Sequence, residues 1–233
     1  MKRNVLILLM ITCVSSLFAQ KEGFSVYGGG VFPVGKWKDS YVSAGFDAGV
    51  KYQYNLPVRG LGVFGSFDLV FNGLTKEGRA LYESLDNGSK YDSYKRATPK
   101  ILNFPIMAGV NYCYNFNNNI GLYSETALGL SICKQTDYRF EGSWVDYRNI
   151  TWSSSNTIKT KAYANCAFRF GLGVLFWQRM SVGIHFCVFG GAKETKIEHI
   201  KTISGNYSDS DRDEYTSELI PMSSFSLRLG CHF

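Results

Sequence analysis

Apolar and polar residues alternate one for one through eight separate stretches of this chain. That period of two constrains the fold more than any other feature. Successive side chains of a β-strand point to opposite faces, so strict alternation builds one apolar and one polar face. The stretch 223–233, SSFSLRLGCHF, shows it plainly: Phe225, Leu227, Leu229, Cys231 and Phe233 alternate with Ser224, Ser226, Arg228, Gly230 and His232. The same rhythm runs through 23–33, 44–54, 61–71, 101–114, 120–132, 164–177 and 180–190. Each stretch is close to the length of a tilted strand that crosses a bilayer, about 9–11 residues.

The connections alternate as well. Those between 54 and 61, 114 and 120, and 177 and 180 are short. Those between 71 and 101, 132 and 164, and 190 and 223 are long, and 33 to 44 is intermediate. Short turns at one end and long loops at the other are the pattern of a transmembrane barrel. The expected fold is therefore all-β: an eight-stranded antiparallel up-and-down transmembrane β-barrel with short periplasmic turns and long extracellular loops. A soluble sandwich or lipocalin-like barrel, with its apolar face turned inward, is the competing architecture. The aromatic content of 15%, with 15 tyrosines and 24 glycines, suits a β-rich protein at a lipid–water boundary. Within the long loops, 76–85 reads as a helical turn or two. Parts of 137–158 and 196–203 alternate enough to extend strands above the membrane.

The front of the chain has its own logic. Lys2 and Arg3 precede an almost wholly apolar run from Val5 to Phe18, and the small Ala19 precedes the polar Gln20, Lys21 and Glu22. This reads as a secretory signal peptide over 1–19, cleaved after Ala19, ahead of a single barrel domain over 20–233. The apolar run is short for a spanning helix, which needs about 20 residues. Ile11 and Thr12 before Cys13 are not the small residues that precede a lipidated cysteine. No later segment is apolar enough to span as a helix, so a span must be built from strands.

The formal charge of +6 falls to +4 without Lys2 and Arg3. The excess is scattered, which excludes the basic stripe of a nucleic-acid binder. Five cysteines follow the signal, Cys113, Cys133, Cys166, Cys187 and Cys231, all within strand stretches or, for Cys133, directly at the end of one. An odd number without loop-stapling spacing argues against a disulfide framework, and they read as small apolar fillers.

With the apolar faces turned outward, Asp47, Lys51, Asp68, Glu125, Arg169 and Arg228 point into the barrel together with His185. Three acids meet three bases there, and Tyr123, Asn103, Asn111 and Asn165 supply further donors and acceptors. Such charges are tolerated away from water only when paired and hydrogen-bonded, so a closed polar core is expected, with a gated path or small polar-ligand site as the alternative. Phe24, Tyr52, Tyr54, Tyr112, Tyr114, Trp177 and Phe233, with Phe116, gather at the short-turn edge as an aromatic girdle.

The signal peptide, eight alternating strands, four outside loops and final Phe233 resemble the small outer-membrane barrels of the OmpX and OmpW type. The exit Phe18-Ala19-Gln20 and the strand ILNFPIMAGVNYCY, with its proline, are similar to the PorT-like barrels of Bacteroidetes-type bacteria. The resemblance implies residence in the outer membrane of a Gram-negative bacterium, exported through the signal peptide. It implies lipid contact all round, and a closing strand read by the barrel-assembly machinery. An envelope or extracellular protein is the further partner class, and a monomer is the expected state. The resemblance transfers no catalytic residues.

Three signals remain. The histidines His185, His199 and His232 show no neighbouring serine and acid in a recognisable pattern, so no catalytic residue is expected. Asp209, Asp211 and Asp213 have the opening spacing of a calcium loop, but Glu214 stands where its glycine belongs and Ile220 where its bidentate acid belongs. They read as a solvated acidic loop tip, and neither metal nor cofactor is expected. The triplets starting at Asn87, Asn149 and Asn206 match glycosylation acceptors and indicate exposed loops. The expected function is a structural or interaction role in the outer membrane. A narrow solute channel comes second and a lipid-modifying enzyme third.

Overall fold

The computed structural model describes residues 22–39, 42–84, 92–117, 119–145, 151–158, 162–192, 195–203, 207–216 and 220–233. The signal-peptide reading over 1–19 lies outside them, as do Asn87, Asn149 and Asn206. Eight strands close into a barrel: β1 (Glu22–Val34), β2 (Val42–Asn55), β3 (Leu61–Leu74), β5 (Ile101–Asn115), β6 (Ile120–Gln135), β9 (Tyr163–Phe176), β10 (Met180–Ala192) and β13 (Ile220–His232). Every pairing is antiparallel, and β13 returns to pair with β1, so the barrel has no free edge. These eight are the eight alternating stretches of the sequence.

The register fixes the shape. Following one row of partners from Phe32 leads through Phe225, Phe186, Phe170, Thr126, Val110, Val63 and Tyr54 to Glu22. The row leaves β1 at residue 32 and re-enters it at 22, a stagger of ten residues (32 − 22). For eight strands with the usual spacings, that stagger corresponds to a tilt of roughly 40°. At this tilt the outward run from Ile120 to Ile132 rises roughly 30 Å, about the thickness of a hydrocarbon core.

The alternation sorts cleanly. Phe32, Phe46, Phe67, Ile106, Leu128, Leu172, Ile184 and Leu229 are among the large apolar side chains exposed on the outside. The buried set faces the lumen. On the outward row of β6 the first charged residue above the apolar band is Lys134, exposed at the long-loop end.

Five further strands form a separate sheet in the order β12-β11-β8-β7-β4. They are β4 (Ser93–Ala97), β7 (Tyr138–Val145), β8 (Thr151–Ile158), β11 (Thr195–Ile203) and β12 (Tyr207–Thr216). Parts of 137–158 and 196–203 thus form strands, as expected, and those strands pair with one another and with β4 and β12. Asp209, Asp211 and Asp213 are corrected, since they lie within β12 and not at a loop tip. Among the described residues two helices sit in the connections, α1 (Lys36–Asp39) and α2 (Lys76–Ser84). The hydroxyl of Thr75 caps α2 by accepting from the Gly78 N–H at 3.1 Å. A backbone N–H and the Thr75 side chain hold the Glu77 carboxyl below its usual range at that helix start. Arg96 of β4 pairs with Glu83 of α2 at 3.4 Å and lies over the rings of Tyr94 and Phe140.

Candidate functional site

The lumen contains two layers. The lower one, toward the short turns, is an ordered chain of charges. Asp47 binds Arg228 through Oδ2 and Nε. The Nη2 of Arg228 reaches Asp68 Oδ1 at 3.1 Å. Asp68 also accepts from Arg169 Nη1, at 3.1 and 3.0 Å to its two oxygens. The Nε of Arg169 stands 3.2 Å from Glu125 Oε1, an ion-pair contact whose angle is not that of a hydrogen bond. Glu125 Oε2 then takes Lys51 Nζ at 3.0 Å.

Acid and base therefore alternate from Asp47 to Lys51, over residues brought in by β2, β3, β6, β9 and β13. Asp68 and Arg169 are 0% and 1% exposed. Charges so far from water need both a counter-charge and hydrogen bonds. Ser66 Oγ accepts from Arg169 Nη2 at 3.0 Å, and the Tyr27 hydroxyl donates to Asp68 Oδ1 at 2.7 Å. Rings complete the shell: Arg228 lies 4.7 Å over Tyr27, and Lys51 lies 5.2 Å over Phe64 and 5.9 Å over Tyr123.

His185 projects from β10 onto Glu125, with Nε2 3.2 Å from Oε1. Its ring has room because position 171 on the neighbouring strand is glycine, where a Cβ would run into the imidazole. Gly173 and Gly183 serve Tyr123 in the same way. Asn111 points inward beside Cys113, and Asn103 donates to the Met222 thioether at 3.3 Å.

The upper layer, toward the long loops, is mostly apolar. Val31, Val70, Cys133, Cys187, Phe189 and Met222 are buried there together, with Ile101, Ala167 and Val42. The sequence reading missed this layer because it searched the inward face for chemistry and passed over its apolar members. It also missed Tyr27, although the alternation that turns Val26 and Gly28 outward turns Tyr27 inward.

His232 does have a serine beside it, for Ser25 Oγ lies 2.8 Å from its Nδ1. The two stand 207 residues apart, and β1–β13 pairing joins them across Ser25↔His232. Among the described residues no carboxylate contact completes a triad on His232, and the Ser–His pair lines the short-turn end of the lumen.

Phe24, Tyr52, Tyr54, Tyr112, Tyr114 and Trp177 are exposed around the outside at the short-turn end. Phe233 is half-buried and tied down: its N–H donates to the Phe24 carbonyl at 2.8 Å, and its own carbonyl accepts from the Phe24 N–H at 3.2 Å. All five described cysteines are free thiols. No cluster of three His, Cys, Asp or Glu among the described residues is arranged to hold a metal.

No family model matches the sequence, and no curated protein matches it significantly. Solved structures with a similar strand layout include Ail, the attachment invasion locus protein of Yersinia pestis. It is 12% identical, with 92% of this chain and 100% of that one covered and a TM-score of 0.38. A major outer membrane protein from Thermus thermophilus is 12% identical, over 92% and 100% of the two chains, with a TM-score of 0.46. Neisserial surface protein A is 10% identical, over 91% and 96%, with a TM-score of 0.42. Likenesses at this level carry no weight here, and the barrel rests on the chain's own strand pairings.

Proposed function

We propose that this chain is an integral outer-membrane barrel whose lumen is a closed structural core and whose long-loop end is its working surface, in a structural or interaction role. The observation that carries the reading is inverted polarity. Large apolar side chains cover the outside of all eight barrel strands, while six acidic and basic residues are buried inside as ion-pair partners. A protein in water would gain by the opposite arrangement, because exposed apolar area is unfavourable there and buried charge is costly. A bilayer rewards this one.

The girdle of Phe24, Tyr52, Tyr54, Tyr112, Tyr114 and Trp177 supports the same reading, since amphipathic rings favour the headgroup level. β13, apolar outward and closing on β1, is the strand the assembly machinery would engage, and the PorT-like resemblance belongs with this proposal. The reading is non-enzymatic. A narrow channel stands second, favoured by a small cavity in the lower lumen and opposed by the apolar layer above it.

Fractionation tests the placement. The protein should be recovered with outer membranes and need detergent for release, whereas a soluble periplasmic pool with no detergent-requiring pool would overturn it. Deleting 137–158 should then abolish partner capture while the barrel remains folded.

A further inference from the structure

The charge chain is not held equally at its two ends. Arg169 contacts both oxygens of Asp68, together with Ser66 and Glu125. Arg228 is shared between Asp47 and Asp68. Lys51 has one carboxylate oxygen, Glu125 Oε2, and two ring faces. A single-point ammonium on a flexible stem is the easiest of the three cations to release.

Beside it lies a cavity of about 20 Å³ open to the centres of water molecules, lined by Ser25, Ser181, His232, Lys51, Glu125 and His185 among others. A space of this size with several polar partners admits water, for which about 10–15 Å³ suffices. His185 borders it from above, and His232, the last inward residue of β13, from below.

The geometry of His185 is what makes the cavity consequential. A carboxylate oxygen can only accept, so the contact with Glu125 places the proton of neutral His185 on Nε2. Its Nδ1 is then a bare acceptor, and it is buried with no protein partner. The charged and titratable groups around the ring are Glu125 and Tyr123 of β6, Arg169 of β9, Arg228 of β13 and Lys51 of β2. His232 lies across the cavity.

We propose that the lower lumen is a proton-operated latch in which protonation of His185 at Nδ1 releases Lys51 from Glu125 and opens the short-turn end of the lumen as a polar vestibule. A proton taken up at Nδ1 converts three acids against three bases into three against four. In a site this far from bulk solvent, one cation must then leave or regain fuller hydration. His185⁺ stays on Glu125 Oε1, the arginines keep their aspartates, and Lys51 turns toward the short-turn end. The apolar layer above is untouched, so the opening is a vestibule and not a pore. The latch goes beyond the membrane reading and would operate in any folded form of the barrel.

The test is NMR of the full chain folded in detergent, observing the His185 imidazole and the Lys51 side chain from about pH 7.5 down to about pH 5, across the ordinary imidazole range. At the upper end the Lys51 methylene next to Nζ should be shifted upfield by the Phe64 and Tyr123 rings. That shift should be lost in step with the His185 titration. In His185→Gln, which cannot gain the charge, it should persist throughout, and in His232→Gln it should be lost as in wild type. The latch is overturned if His185 titrates while Lys51 keeps its shift, or if His185 does not titrate in this range. It is overturned equally if the change survives in His185→Gln or disappears in His232→Gln. Should either variant fail to fold, the wild-type titrations alone decide, because coincident midpoints are required.

Discussion

Trp177 and Gln178 are the non-glycine described residues at positive φ, at 49° and 57°. They occupy the centre of a tight turn closed by the Arg179 N–H on the Phe176 carbonyl at 3.0 Å. Consecutive positive values match the twist of a hairpin, and asparagine and glycine meet that need with little strain. Trp177 belongs to the proposed girdle, whereas Gln178 does not, and its side chain is exposed. Gln178→Gly should therefore stabilise the barrel by roughly 0.5–1 kcal/mol, read as a shift in urea-unfolding midpoint in lipid vesicles. The opposite sign is expected in the lumen. Arg228 is the ion-pair partner of Asp47, so Arg228→Met strands a buried carboxylate and should cost about 3–5 kcal/mol. Adding Asp47→Leu should recover much of that loss. A double variant no more stable than the single one would show that the pair is not the source.

At the scale of elements, β9 is a direct test of the face assignment. Phe168 and Phe170 lie on its outer face, while Ala167 and Arg169 are buried. Phe170→Arg should cost roughly 2–4 kcal/mol in a bilayer if it sits near mid-membrane. Spin labels at 168 and 170 should be quenched by lipid-dissolved reagents and labels at 169 and 171 should not. The reverse pattern would mean a slip of one residue, which turns every side chain to the other face. The eight barrel strands were legible because each has one face that must be apolar. β12, YSDSDRDEYT, carries no such mark. It forms a strand through backbone pairing with β11, and a pattern-based reading takes it for a loop. β4, SYKRA, was missed for the same reason. The charges of the candidate site were legible as inward residues, but their partners were not. Period two gives the face and not the level, and level is set by the stagger of strands that can be far apart in sequence. Asp47 and Arg228 meet across 181 residues.

For the whole molecule, strand number and stagger decide what the lumen can do. Eight strands enclose a space that side chains can just fill. Here it is filled twice over, by the charge chain below and by Phe189, Met222 and their apolar neighbours above. The layers differ in what they set against an ion: the lower presents paired charges, and the upper is mostly apolar. They act in series, so removing one leaves the other. Purified wild-type protein in planar bilayers at neutral pH should therefore show no resolved open state. Arg169→Ala should remain closed because the apolar layer persists, and Phe189→Ala with Met222→Ala should remain closed because the charge chain persists. The triple variant, provided it shows the gel-mobility shift of a folded barrel, should conduct. A resolved open state in the wild type would defeat the closed-core reading and bring the channel reading forward. Conductance in one of the two partial variants equal to that of the triple would show that the layer it lacks was the sole barrier.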